Sequence, residues 1–142
     1  MTKPQTMTRL EKANQLGVKE LRVHMGLFDY SVQFVVGDYA KSVKFASWIL
    51  DDKYEVVEQM DAEINGGHTP RGKTFRRSGY LPVVWVPRRP RGGRELATLA
   101  HECLHAIFDL IEWANMPIDR STEELMCHAQ AHLVTEFLEG IK

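Results

Sequence analysis

The chain has 142 residues, of which 44% are hydrophobic and 26% charged, and its formal net charge is −1. This length predicts one domain over residues 1–142 with a single core. No apolar run approaches the ~20 residues of a membrane span, and no hydrophobic segment near the start indicates a secretory signal. We therefore expect a cytoplasmic protein without a membrane partner. Cys103 and Cys127 form no CxxC pair and are predicted to be small core residues.

Charge is distributed unevenly along the chain. The basic belt, defined here as residues 71–94, contains no acidic residue and these basic ones: Arg71, Lys73, Arg76, Arg77, Arg88, Arg89, Arg91 and Arg94. Such a stretch could bind nucleic acid or an acidic partner. The alternative, which we favour, is that these side chains are the solvated ends of a hairpin and a loop.

The N-terminal part predicts a short helix ahead of the main fold. Residues 8–16 fit this helix, with Thr8 as its N-cap and Gly17 as its stop. Residues 1–25 could as a whole form a peripheral segment of the domain.

A strand and a second helix follow. The apolar alternation over Tyr30–Val36 predicts a half-buried strand, and Asp38 is placed to cap a helix after it. Residues 53–64 fit a strand and a helix equally well.

The next segment predicts a loop and a β-hairpin. Residues 65–73, "NGGHTPRGK", have the composition of a loop, and Ser78–Gly79 fits a tight turn between two strands. The second strand would cover Tyr80–Val86. Pro82 cannot donate a hydrogen bond to a neighbouring strand, which favours an edge position for it.

Two helices complete the chain, at about residues 94–113 and 121–138. Strands come mainly first and helices last, so the order predicts an α+β fold rather than alternating βαβ units. We expect a small antiparallel or mixed sheet packed on helices.

The first of these helices contains His101-Glu102-x-x-His105. Residues four apart lie on one helical face, about 6 Å apart, so the two imidazoles could converge on one metal ion. Imidazole nitrogen is a common zinc ligand. Glu102 lies about 100° around the helix, where it could accept a proton from a water on the metal. The pattern HExxH therefore predicts a metal-assisted hydrolase with Glu102 as general base.

A catalytic zinc usually has three protein ligands. The last helix offers four candidates for the third: Glu123, Glu124, His128 and His132. Ser121-x-x-Glu124 also fits a capping box, in which Glu124 would only start the helix. Asp119 or Thr122 could cap instead, and we favour Glu124 as a ligand.

Three segments follow one another in the C-terminal half of the chain: "VVWVP" at Val83–Pro87, "TLAHECLHA" at Thr98–Ala106 and "EELMCHAQAHLV" at Glu123–Val134. They resemble the "WLP", "TLAHExxHA" and "EExxAYLxxYLV" segments of small zinc metallopeptidases from tailed bacteriophages, which are gluzincin-like members of the zincin group. The resemblance extends over Tyr80–Leu138.

This resemblance implies a zincin-like minimal metallopeptidase domain with Zn²⁺ as cofactor. By position, His101, His105 and Glu124 correspond to the metal ligands and Glu102 to the general base. The resemblance would place the protein in a host cytoplasm. His128 and His132 stand where aromatic residues are expected, so His128 is a candidate catalytic residue or an alternative ligand. The strand "YLPVVWVP" would hold an extended substrate by edge pairing.

Further roles around the metal remain open in the sequence. Asp109, one turn after His105, could accept the free N–H of a ligating imidazole or could face solvent. His128, Tyr80 and His68 are candidate donors to a developing oxyanion.

The sequence thus predicts a zinc peptidase acting on a peptide or protein. The alternative is a catalytically silent zincin-fold binding or inhibitory protein, which could contact nucleic acid through the basic belt.

Overall fold

The computed structural model describes residues 7–26, 29–51 and 69–142. Within these ranges the chain is an α+β fold with a small mixed sheet, as predicted. The helices are α1 (Arg9–Leu16), α2 (Tyr39–Leu50), α3 (Gly93–Trp113) and α4 (Arg120–Gly140), and the strands are β1 (Lys19–His24), β2 (Ser31–Val36), β3 (Lys73–Phe75) and β4 (Val83–Val86). The ambiguous segment 53–64 and the first half of the 65–73 loop lie outside the described residues.

Side-chain capping explains where α1, α2 and α4 begin. Thr8 and Asp38 accept hydrogen bonds from backbone N–H groups three residues on, which confirms the predicted starts of α1 and α2. Gly17 ends α1 in the left-handed region, at φ +74°, as a stop residue should. In α4 the capping box joins Asp119 and Thr122, so Glu124 is not the capping residue.

The four strands are ordered β1-β2-β4-β3. β2 pairs antiparallel with β1 and parallel with β4, and β3 pairs antiparallel with β4. The Ser78–Gly79 turn lies between β3 and β4 as predicted, within a longer loop, and Gly79 takes φ +83°.

The predicted edge position of the second hairpin strand is wrong, because β4 lies between β2 and β3. Pro82 precedes the first residue of β4, so its missing N–H removes no hydrogen bond from the sheet. Its carbonyl oxygen accepts from the Gln33 amide at 3.1 Å. Among the described strands, β1 and β3 lie at the two edges of the sheet.

Helices cover both faces of the sheet. Val32, Phe34 and Val36 of β2 pack in the cluster that contains the inner faces of α3 and α4, whereas Val35 packs with α1 and α2. Residues 32–36 are all buried, so the prediction of a half-buried strand is wrong. Neither face of this strand is exposed, because helices cover both sides of the sheet. The polar residue of the run, Gln33, is buried among hydrogen bonds to Arg9, Arg22 and Glu20.

Residues 19–24, part of the expected peripheral segment, form the outer strand β1. Val23 is buried in the core that β1 shares with α3 and α4. Among the residues described, no helix is both long enough and apolar enough to cross a membrane.

A buried stripe orients α4 on the sheet. Thr122, Ala129, Leu133 and Phe137 recur at spacings of seven, four and four residues along its inner face. The ring of Phe137 contacts that of Phe34 on β2, with centroids 5.0 Å apart. These contacts determine which side chains of α4 face solvent.

Phe137→Ala should lower the free energy of unfolding by about 3–5 kcal/mol, because it removes a fully buried ring from this contact. Glu136→Ala is the matched control, and we expect it to stay within ~0.5 kcal/mol of wild type because Glu136 is exposed. Urea unfolding followed by circular dichroism measures both. A loss no greater than that of the control would contradict the assigned packing of α4.

Candidate metal site

His101 and His105 come together on the exposed side of α3. Their Nε2 atoms lie 3.2 Å apart and their rings meet edge to face. The side chain of His101 is 67% exposed. The helical spacing therefore brings the two imidazoles together as the sequence predicts.

The separation of the two nitrogens suits a shared metal ion. Nitrogens at zinc's usual ~2.0–2.1 Å and 3.2 Å from each other subtend about 100° at the ion, which is close to the tetrahedral angle. Without a metal the same distance fits a hydrogen bond between neutral imidazoles, whose direction depends on the tautomer. The pair thus fits two of the four positions around zinc.

Glu102 is buried beside this pair and is held by β3. The hydroxyl of Thr74 lies 3.0 Å from Glu102 Oε1 and 2.9 Å from the Glu102 backbone oxygen. The other carboxylate oxygen, Oε2, lies 3.9 Å from His101 Nε2. One oxygen is therefore anchored to the sheet, and the other faces the first histidine.

Gly72 allows the chain before β3 to approach α3 closely. A Cβ at this position would lie 2.7 Å from Cγ2 of Thr98 and 3.1 Å from Cγ of Glu102. Gly72 also borders a cleft of about 350 Å³ that His101 and Glu102 line. Sequence reasoning missed both Thr74 and Gly72, because their role depends on β3 lying beside α3.

Glu124 and His128 lie on the outer face of α4. Glu124 is about 200° around the helix from the buried Thr122. Its Oε2 lies 3.4 Å from His128 Nε2, and the two side chains are 84% and 82% exposed. The structure thus brings Glu124 to His128 and does not bring either residue to the His101–His105 pair.

Across residues 7–26, 29–51 and 69–142, no three His, Cys, Asp or Glu side chains are grouped to hold a metal ion. Glu123 is an exposed first-turn acid of α4. His132 Nε2 lies 3.0 Å from the backbone oxygen of His24. Among the described residues, the His101–His105 pair therefore has no third candidate ligand grouped with it.

Asp109 has a partner other than a histidine. The Tyr30 hydroxyl donates to Asp109 Oδ2 at 2.5 Å. Burial raises the pKa of Asp109, although the bond from Tyr30 opposes the rise. Burial also raises the pKa of Tyr30 strongly, so its hydroxyl stays a donor at neutral pH. The sequence predicted that Asp109 would bond to His105 or face solvent, whereas the structure pairs it with Tyr30.

Tyr80, which the sequence analysis named with His128 and His68 as a candidate oxyanion donor, lies at the hairpin turn. The Arg77 guanidinium stacks on its ring, 4.6 Å from the centroid. Tyr80 shares a cavity of about 550 Å³ with Tyr30 and Asp109, and the histidine pair does not line that cavity. His68 lies outside the described residues.

The two cysteines differ in environment. Cys103 is buried, and this burial raises the pKa of its thiol to about 12, with a further contribution from the Glu102 carboxylate. It stays protonated at neutral pH and acts as a core residue, as predicted. Cys127 is exposed on α4, so its predicted core position is wrong.

The basic belt is divided between two ends of the sheet. Arg71, Arg88 and Arg94 line a cavity near the start of β3, whereas Arg76 and Arg77 line the cavity at the hairpin turn. Arg88 is partly neutralised by Glu95, with Nε and Oε2 2.9 Å apart. The belt is thus not one continuous surface.

No protein-family model, curated protein or solved structure matches the chain. The likeness to phage metallopeptidases therefore rests on the three quoted segments alone. Zinc binding and hydrolysis stay predictions at this point.

Thr74→Val should lower the free energy of unfolding by about 1–3 kcal/mol, because the buried Glu102 carboxylate loses its donor. Thr98→Val is the matched control. Within the described ranges the Thr98 hydroxyl donates to the Arg94 carbonyl of its own helix, and we expect a loss below ~0.5 kcal/mol. Equal losses in the two variants, measured by urea unfolding at pH 7, would show that Thr74 does not hold the carboxylate.

Proposed function

We propose that this protein is a zinc-dependent metallohydrolase of zincin type and that its substrate is a peptide or protein. The observation that carries the proposal is the 3.2 Å separation of the His101 and His105 Nε2 atoms beside the buried Glu102 carboxylate. The two imidazoles and the carboxylate that Thr74 anchors lie side by side on α3. A metal ion on the two nitrogens would therefore lie beside a group that can take a proton from its bound water.

His101 and His105 would hold the zinc through Nε2. When bound, the zinc would supply a water of lowered pKa and polarise a substrate carbonyl. Catalytic zinc usually has three protein ligands, and the described residues supply two of them. We do not propose Glu124 as the third ligand, because its side chain lies on the outer face of α4.

Glu102 is the proposed general base. Thr74 anchors Oε1, which leaves Oε2 directed towards His101 and free to accept a proton. Leu99 and Cys103 are buried on the same helix, so α3 is packed firmly on the sheet and holds the carboxylate in place. This rigidity is what positioned acid–base catalysis requires.

The outer edge of β3 is the proposed site for the substrate backbone. Among the described strands β3 lies at the end of the strand order, so its edge away from β4 faces no further described strand. An extended peptide can add to such an edge through main-chain hydrogen bonds. Thr74 connects this edge to Glu102, which would place the peptide close to the base. This strand takes the role that the sequence predicted for β4.

A cytoplasmic location, which the resemblance to the phage metallopeptidases implies, belongs to the same proposal.

The wild-type chain should bind about one zinc, and His101→Ala and His105→Ala should each lose it. Glu124→Ala should keep the metal, because the exposed Glu124 carboxylate pairs with His128 and is not grouped with the histidines of α3. Elemental analysis after equilibration with zinc sulfate and gel filtration measures the metal content. No zinc in the wild type, or full zinc in both histidine variants, would contradict the metal site.

Glu102→Gln should keep zinc and lose about 10²–10⁴-fold in the rate of peptide hydrolysis, because the amide cannot accept the proton. A fluorogenic peptide library, digested by wild type and by this variant, measures the rate. Zinc binding without hydrolysis of any library member would instead support the silent binding protein.

A further inference from the structure

A cavity that the histidine pair does not line is found at the carboxyl ends of β2 and β4. It has a volume of about 820 Å³, within the ~300–1,000 Å³ range typical of small-molecule sites. Its walls are formed by residues 37–40 after β2, residues 85–88 of β4 and the turn after it, and the first turns of α3.

The chain topology explains why a cavity forms there. β2 and β4 are adjacent and parallel. The helix after β2 packs on the face that carries Val35 and Trp85, whereas the helix after β4 packs on the face that carries Val84. The two connections leave in opposite directions and open a crevice between them. Open sheets with parallel strands bind ligands at such a switch point.

Gly37 shapes the floor of the crevice. It takes φ +147°, its N–H donates to Val86, and its carbonyl accepts from the Trp85 indole at 2.9 Å. These bonds hold the ends of β2 and β4 together, so the cavity is built on rigid backbone. Much of the remaining wall is apolar: Tyr39, Pro70, Val86 and Pro87.

The charged groups of the wall leave an excess of positive charge. Both acidic lining residues already have partners: Asp38 accepts from the Lys41 amide, and Glu95 pairs with Arg88. In the described part of the chain, Arg71 and Arg94 form no ion pair. Guanidinium groups bind phosphate through two parallel hydrogen bonds.

We propose that this cavity binds an organic phosphate of nucleotide size. Arg71 and Arg94 would bind the phosphate, and the apolar wall would contact the body of the molecule. Arg71 and Thr98 also line the cleft beside His101, so the two sites are adjacent. The inference does not depend on the proposed zinc chemistry, since binding can be measured on metal-free protein.

Isothermal titration calorimetry of the full chain with AMP, GMP, CMP and UMP tests the proposal, and the matching nucleosides serve as ligand controls. At least one nucleotide should bind with 1:1 stoichiometry and at least tenfold more tightly than its nucleoside. Arg71→Met and Arg94→Met should each weaken it at least fivefold. Arg120→Met, an equal charge change at the start of α4, should leave affinity within twofold.

Localisation by NMR completes the test. The Trp85 indole N–H and the Gly37 amide should shift on binding, and circular dichroism verifies that each variant is folded. Three results would overturn the proposal: no binding by any of the four nucleotides, equal binding of nucleotide and nucleoside, or binding unchanged in both arginine variants. Binding of the acidic peptide acetyl-Glu-Glu-amide without any nucleotide would also overturn it.

Discussion

Four residues of β2 pair in parallel with four of β4 in the middle of the sheet, from Gln33 with Val83 to Val36 with Val86. A parallel pair needs a crossover, and here the chain between the two strands includes α2 and the edge strand β3. α2 takes one face of the sheet and leaves the other to α3 and α4. Both the covered core and the placement of α3 beneath β3 follow from this pairing.

The histidine site depends on that placement. α3 is buried along one side through Leu99, Cys103, Ala106 and Leu110, so the opposite side must carry the polar residues. Glu102 lies at the boundary, where Thr74 of β3 and the preceding Gly72 approach it closely. A buried carboxylate is expensive unless a donor satisfies it. β3 is therefore a short strand with a specific chemical role.

The same pairing accounts for the large cavity, since the helices after β2 and β4 pack on opposite faces. The two sites are neighbours because β3 runs antiparallel to β4 and starts at the end where β4 finishes. Arg71 and Gly72 stand at that start, between the cavity and the cleft beside His101. If both sites bind as proposed, a ligand in the cavity could influence how a peptide lies along β3.

Local features of this fold could be predicted from sequence, because their causes lie within a few residues. The caps Thr8 and Asp38 and the convergence of His101 with His105 depend on helical spacing alone. Strand order could not be predicted in this way, since the partner of β4 depends on residues about 50 positions away. The edge position was predicted from Pro82 because the strand was expected to include this residue, whereas β4 begins after it.

The buried face of α4 could not be predicted from the sequence either. Apolar residues occur all around this helix, including the exposed Cys127 and Ala131. The sequence therefore did not indicate which stripe would be buried, and the ligand role of Glu124 depended on that choice. Packing of Phe137 on Phe34 and the bond from Gln130 to the Ala100 carbonyl settle the orientation.

Zinc-edge anomalous diffraction from crystals of the full chain grown with zinc is the most direct test of the central claim. We expect one anomalous peak about 2.0–2.1 Å from Nε2 of both His101 and His105, and the density would also identify the remaining ligands. A peak at the Glu124–His128 pair instead, or no peak in zinc-equilibrated crystals, would contradict the proposed site.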